Sequence, residues 1–212
     1  MNFKRFIFNP VDVNCYILWD ESKEAVIIDG AALFNEERME LKSFIKNNGL
    51  TVKHHLNTHL HFDHIFGNPF VEQEFGVKSE ANDKDWPWAE TISERVARFG
   101  LRYNEKIPTI GRVLNDGDTI TFGNNTIKAI HVPGHSPGSL AYYIAEENML
   151  FSGDALFQGS IGRTDFADAD YDTLISNIKN KLFSLPDNTR VYPGHGDSTT
   201  IEFEKQYNRF LQ

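Results

Sequence analysis

Between Thr58 and His64 the chain has to change direction. His59, His61, Asp63 and His64 form a His-x-His-x-Asp-His cluster, and a strand puts residues two apart on one face while sending neighbours to opposite faces. His59 and His61 can therefore meet one ion from an extended segment. Asp63 and His64 would diverge on a strand, so both reach the same place only if the backbone turns into a loop or a helix start after His61. Four metal-binding side chains presented in two directions suit a two-metal site better than a single closed one. A lone histidine reads as core or surface filler, but six residues of this composition do not.

The flanking pattern says what carries the cluster. Residues 3–8, 15–19 and 25–28 are short apolar runs broken by turn residues, and Asp29-Gly30 ends the third. Asn35 is placed to cap a helix with Glu36 and Glu37 in its first turn; Met39, Leu41, Phe44 and Ile45 face inward and Gly49 stops it. Residues 51–57 form the next strand, and the cluster opens at its end. The second half repeats the theme: strands at 119–122, 126–132, 140–145 and 149–151, a hairpin turn at Gly123-Asn124-Asn125, a helix over 171–183, a short strand at 190–192, and a closing helix from Ile201 to Leu211. Two strand-rich halves, each ending in helix, predict an α/β (α+β) protein of two packed sheets with helices outside. At 212 residues this is one domain, spanning 1–212. Residues 77–112 interrupt the pattern; Trp86 and Trp88 there either roof a pocket beside the cluster or anchor an insertion to the core, and anchoring is the preferred reading.

Three later sites share one construction, an apolar strand, a glycine and then a potential ligand: Pro133-Gly134-His135, Ser152-Gly153-Asp154 and Pro193-Gly194-His195. Glycine there lets the backbone turn sharply and approach closely. Imidazole and carboxylate together suit zinc, iron or manganese. Cys15, the only cysteine, excludes an internal disulfide and reads as a small buried hydrophobe rather than a nucleophile. The formal charge of −9 argues against a nucleic-acid partner, and no run is long enough to span a membrane. The start of the chain lacks the apolar core of a signal peptide, so a cytoplasmic protein is expected.

Five segments carry a resemblance. They are Thr58-His59-Leu60-His61-Phe62-Asp63-His64, Pro133-Gly134-His135-Ser136-Pro137-Gly138-Ser139, Gly153-Asp154-Ala155-Leu156-Phe157, residues 159–165 and Tyr192-Pro193-Gly194-His195-Gly196. In this order and spacing, from about Asn14 onward, the chain resembles the metallo-β-lactamase superfamily, and within it the hydrolases related to glyoxalase II (hydroxyacylglutathione hydrolase). The resemblance implies a four-layer αββα sandwich with the metals at one edge of the sheets. It implies two divalent ions per chain, zinc first, with iron or manganese as alternatives. His59, His61 and His135 resemble the ligands of the first ion, Asp63, His64 and His195 those of the second, and Asp154 the bridge. A water shared by two cations is the implied nucleophile, with Asp63 orienting it, and a small acylthioester such as S-lactoylglutathione is the implied substrate.

Some parts follow the family less closely. Only residues 196–212 lie beyond His195, with Lys205 and Arg209 as cations, where full-length glyoxalase II carries a basic helical region for glutathione; the compact bacterial type is the better match. Arg163 is a candidate substrate contact, with an ion pair to an aspartate as the alternative. Asp29 is placed to accept a hydrogen bond from a ligand histidine and Asp165 to orient the nearby loop, while His54, His55 and His131 read as structural. Residues 159–165 resemble the thioester-type branch, so β-lactam hydrolysis is not expected. The rival enzyme is a persulfide dioxygenase, a sister group using one iron; Gly159-Ser160-Ile161 looks more like the hydrolases. The other rival, a metal-stabilised binding module, is opposed by the uninterrupted set of seven ligands.

Overall fold

Alternation along the N-terminal strands feeds two different cores at once. The structure is a computed structural model that describes residues 1–100 and 102–212. Strands β1 (Asn2–Phe8), β2 (Val13–Trp19) and β3 (Glu24–Ile28) pair antiparallel. Helix α1 (Asn35–Asn47) then crosses to β4 (Thr51–Leu56), which lies parallel to β3. On β2, Tyr16 and Leu18 point to one side of the sheet and Cys15 and Ile17 to the other; on β3, Val26 and Ile28 oppose Ala25 and Ile27. A strand buried on both faces reads as a continuous apolar run, as 15–18 does.

Short helices α2 (Phe62–Ile65) and α3 (Asn68–Phe75) follow β4, then β5 (Ser79–Ala81), α4 (Trp86–Glu90), α5 (Ile92–Ala97) and β6 (Ile110–Val113). The segment expected to interrupt the pattern instead extends the sheet, whose order is β1-β2-β3-β4-β5-β6. Its strands escaped notice because Ser79-Glu80-Ala81 is too short and polar to show apolar alternation.

The second sheet has the order β14-β13-β10-β9-β8-β7, from β7 (Thr119–Phe122), β8 (Asn125–His131), β9 (Leu140–Ile144), β10 (Met149–Gly153), β13 (Arg190–Pro193) and β14 (Thr199–Thr200). A small hairpin, β11 (Leu156–Phe157) with β12 (Ser160–Ile161), projects between β10 and helix α6 (Tyr171–Asn177). A π-helical stretch, Ile178–Leu182, prolongs α6, and α7 (Ile201–Tyr207) ends the fold. The sheets meet face to face through Leu18, Val26 and Leu56 on one side and Ile120, Tyr142 and Phe151 on the other. Leu41 and Ile45 of α1 cover the first sheet, and Leu174, Ile178 and Ile201 cover the second. The result is the four-layer αββα sandwich. Among the described residues no helix is long and apolar enough to cross a membrane.

Three local expectations need correction. Met39 is 57% exposed, because two residues before Leu41 is about 200° around a helix. Asn35 is the first helical residue rather than the cap. The carboxylate of Glu37 does that work, accepting the Leu33 and Phe34 N–H groups at 2.8 and 3.0 Å. The closing helix stops at Tyr207, where Asn208 turns away and donates to the Ser160 carbonyl at 3.0 Å and Glu204 at 2.7 Å. Leu211 thereby reaches the core outside the helix.

Candidate metal centre

Every candidate ligand sits just past the C-terminal end of a strand. Strands β8 and β10 both run antiparallel to β9, and β13 is parallel to β10, so their C-terminal ends share one edge. His135, Asp154 and His195 follow those three strands. Across the sandwich β4 stops at Leu56, and residues 57–61 continue as a loop, with His61 itself extended. The expected strand is thus one residue too long, yet His59 and His61 still bring their ring nitrogens within 4.8 Å of one another. Helix α2 starts at Phe62 and brings Asp63 and His64 round, the turn that the cluster demanded. Glycine is needed at several close approaches, Gly194 and Gly134 among them. A Cβ on Gly194 would lie 2.2 Å from Asp154 Oδ1, and one on Gly134 would lie 2.4 Å from the Leu174 nitrogen.

The structure brings all seven residues together. Potential ligand atoms of His59, His61 and His135 lie within 4.8 Å of one another, and the same holds for Asp63, His64 and His195. His59, His64 and Asp154 form a third such group, so Asp154 stands where the two sets meet. Its carboxylate is 3.4 Å from His64 Nε2, 3.7 Å from His135 Nε2 and 3.5 Å from His195 Nε2.

Hydrogen bonds on the far side of four of the five rings decide which nitrogen faces inward, while His61 turns its Nδ1 to His135 Nε2 at 2.9 Å. His135 Nδ1 donates to the Arg163 carbonyl at 2.9 Å, His195 Nδ1 to the Val11 carbonyl at 2.9 Å, and His64 Nδ1 to Asp29 Oδ2 at 3.0 Å. Thr58 Oγ1 donates to Asp29 at 2.7 Å and so accepts from His59 Nδ1 at 3.1 Å. Any of these rings that is neutral then turns a bare lone pair to the centre. The Nε2 atoms of His64 and His195 face one another at 3.3 Å, with Asp63 Oδ2 3.7 and 3.4 Å away. Buried His59 Nε2 and Asp154 Oδ1 have no hydrogen-bond partner among the described residues. Acceptors packed against acceptors repel unless a cation lies among them. This donor set fits divalent metal.

The charges tell the same story. Burial, reinforced by neighbouring imidazoles, pushes His59 and His61 well below the usual histidine range, which keeps them neutral and able to ligate. Burial opposes charge on His64 too, yet Asp154, Asp29 and Asp63 outweigh it and raise its pKa well above the ordinary value. Burial would also raise Asp63 and Asp154, but the facing imidazoles, His64 foremost, hold both carboxyls below the carboxylate range. A centre this negative requires positive charge, from protons or from metal.

Asp29 holds its expected place: besides His64 and the Thr58 hydroxyl it accepts the Thr58 N–H at 2.8 Å. Asp85 was not anticipated. Fully buried, it accepts the Leu60 N–H at 3.3 Å, the Ser136 hydroxyl at 2.7 Å and the Gly138 N–H at 2.6 Å, tying the loop of His59 and His61 to that of His135. Nothing in the isolated motif Asn82-Asp83-Lys84-Asp85 marks it, whereas Thr58 already stood within the cluster motif. His55 accepts the Gly30 N–H at 3.2 Å, and His54 and His131 bond to Glu80 and to the Pro137 carbonyl, all outside the centre.

Over the centre opens a cavity of about 340 Å³ whose floor includes His61, Asp63, Asp154 and His195. Its walls are Val11, Phe62, Trp88, Phe99, Phe157 and Phe166. Trp88 is therefore a pocket wall, its ring centroid 4.1 Å from that of His61, which corrects the reading of it as an anchor alone; Trp86 packs into the core as expected. Arg163 also lines the cavity, but its guanidinium is engaged by Asp165 through Nε at 2.9 Å and Nη2 at 2.8 Å. A larger surface groove of about 670 Å³ between Pro69, Lys78 and Thr109 holds none of this chemistry.

The chain is similar to known proteins in sequence and in fold. The sequence profile described as "Metallo-beta-lactamase superfamily" matches residues 8–195. Hydroxyacylglutathione hydrolase GloC of Haemophilus influenzae is 38% identical, over all of this chain and 98% of that protein. The crystal structure of the BLEG-1 B3 metallo-beta-lactamase superposes with a TM-score of 0.90 at 37% identity, covering both chains fully. That of TTHA1623 in a di-iron-bound form gives 0.86 at 33% identity, covering 98% of this chain and all of the other.

Proposed function

Because the chain belongs to the metallo-beta-lactamase superfamily, we propose that it is a metal-dependent hydrolase of small acylthioesters of the S-lactoylglutathione type. One observation carries the reading: two sets of ligand-type atoms that meet at the Asp154 carboxylate, with the Nε2 atoms of His64 and His195 facing one another at 3.3 Å. The likeness to GloC supports the thioester. His59, His61 and His135 would hold one ion, Asp63, His64 and His195 the other, and Asp154 both; zinc is the first choice, and iron or manganese suit the same donors.

When bound, two divalent cations supply Lewis acidity toward the carbonyl oxygen and make water a stronger acid. The protein's own residues do the rest. Asp63, held ionised, orients water at the centre and takes its proton. Water oxygen bonds to the thioester carbon, the C–S bond breaks, and sulfur leaves with the electron pair. A thiolate, whose conjugate acid has a pKa of about 8.5, needs little acid assistance to depart. Trp88, Phe166 and Phe62 keep bulk water from the floor of the cavity. Asp29, Thr58 and the carbonyls of Val11 and Arg163 fix the rings. We also read the chain as one cytoplasmic domain acting on a small molecule, without nucleic-acid or membrane partners; the shared core between the sheets supports the single unit.

Metal analysis of purified protein, run beside thiol release from S-lactoylglutathione and opening of a β-lactam, tests the proposal. Two metals per chain with thiol release, abolished by chelation and restored by divalent metal, is the expected result. One iron with oxygen uptake on a persulfide would install the dioxygenase instead, and β-lactam opening without thiol release would move the assignment toward the function that BLEG-1's description states.

A further inference from the structure

We infer that the cavity selects its thioester by an apolar acyl group, aromatic or branched, rather than by the charges of a glutathione carrier. The inference rests on the thioester reading and concerns which part of the substrate this chain grips. Directly above the candidate ligands the walls are rings: Trp88 and Phe166 lie 5.5 Å apart, their centroids 4.1 and 5.1 Å from His61, and Phe157 stands 6.3 Å from His195. Trp88 is fixed in place. Its indole N–H donates to Asp168, and the Arg95 guanidinium sits 3.3 Å from its ring centroid. A wall already ordered gives up little freedom when an acyl group packs on it.

Cationic recognition is sparse in the same cavity. Arg163 is the one Lys or Arg lining it among the described residues, and its Nε–Nη2 edge is occupied by Asp165, which leaves only the Nη1 end outside that pair. An exposed pair of this kind is weak. Yet a substrate carboxylate that displaced Asp165 would still find that anion beside it. Glutathione carries two carboxylates and one ammonium, and the chain's formal charge of −9, only partly offset by two divalent cations, gives that anion no long-range pull. What the cavity offers a substrate beyond its metal floor is apolar area.

The test compares kcat/KM for acetyl, lactoyl and phenylacetyl thioesters, each built on glutathione and on the neutral thiol N-acetylcysteamine, using metal-loaded wild-type protein. Phenylacetyl should exceed acetyl by about tenfold or more on either carrier, and changing the carrier should alter rates by less than about threefold. Phe166→Ala should shrink the phenylacetyl-to-acetyl ratio, with metal content measured on the same preparation to show the centre intact. A glutathione carrier that improves kcat/KM tenfold, or lactoyl and acetyl esters cleaved as well as phenylacetyl, overturns the inference while leaving the thioester reading in place. Cleavage of none of the six removes both.

Discussion

At the scale of single residues, Asp63 and His55 separate function from stability. The Asp63 carboxylate faces His195 at 3.4 Å and His64 at 3.7 Å on the cavity floor. Asp63→Asn keeps the shape and removes the negative charge that orients water. Turnover should fall by roughly 10²–10⁴-fold with an unchanged circular dichroism spectrum; near-wild-type kcat would take the role away from it. His55 is elsewhere and buried, and burial alone holds its imidazole at about 3. A histidine depressed below its unfolded value of about 6.5 contributes its full stability above that pH and loses it as pH falls toward 3, at up to about 1.4 kcal/mol per pH unit. His55→Gln keeps an acceptor for the Gly30 N–H without a group to titrate. Urea midpoints of wild type should therefore drop faster than those of the variant between about pH 6.5 and 4; parallel curves would rule His55 out as the acid-labile group.

Among elements, the decisive partnership joins the loop after β4 to the loop after β8. Asp85, in the 3₁₀ turn Asp83–Asp85, bonds to both, and a Cβ on Gly138 would come within 2.7 Å of its carboxyl carbon. Asp85→Ala leaves buried donors unpaired and lets His61 and His135 drift, so metal affinity should weaken by about 10–100-fold in competition with a coloured chelator. Asp85→Asn retains an acceptor and should lose less. Equal affinity in all three proteins would show that the two loops hold their shape without this carboxylate. The segment around Asp85 defeated sequence reading because its strands are short and polar and its one essential carboxylate lies far along the chain from either loop it serves.

For the whole molecule, the centre sits where the two sheets meet: His59 to His64 come from the first and His135, Asp154 and His195 from the second. A ligand that binds only when both edges are assembled adds to folding stability by mass action, about 4 kcal/mol at a thousandfold excess over Kd. Calorimetry should show Tm falling by roughly 8–16 °C when a chelator strips the metal from a chain of this size, and identical transitions would argue against ligands drawn from both sheets. The layered architecture was legible beforehand, since the apolar runs at 15–19 and 140–145 and the glycine-plus-ligand endings announce strands and their edges. The outward turn of Met39 was legible too, from helical period alone; Asn35 and the length of the last helix were not, because capping and termination depend on neighbours that approach only after folding.

The amino-acid sequence by itself determined which residues are chemically able to bind metal, that the backbone must turn at Phe62, and that each remaining candidate ligand follows a strand: composition and local backbone geometry suffice for these. Only the tertiary structure decided which nitrogen of each imidazole faces the centre, that Asp85 joins two ligand loops, and that Trp88 and Phe166 wall the cavity while Asp165 occupies Arg163. Those facts depend on contacts between segments far apart in the chain, and no local pattern encodes the distance between two strand ends until the sheets have packed.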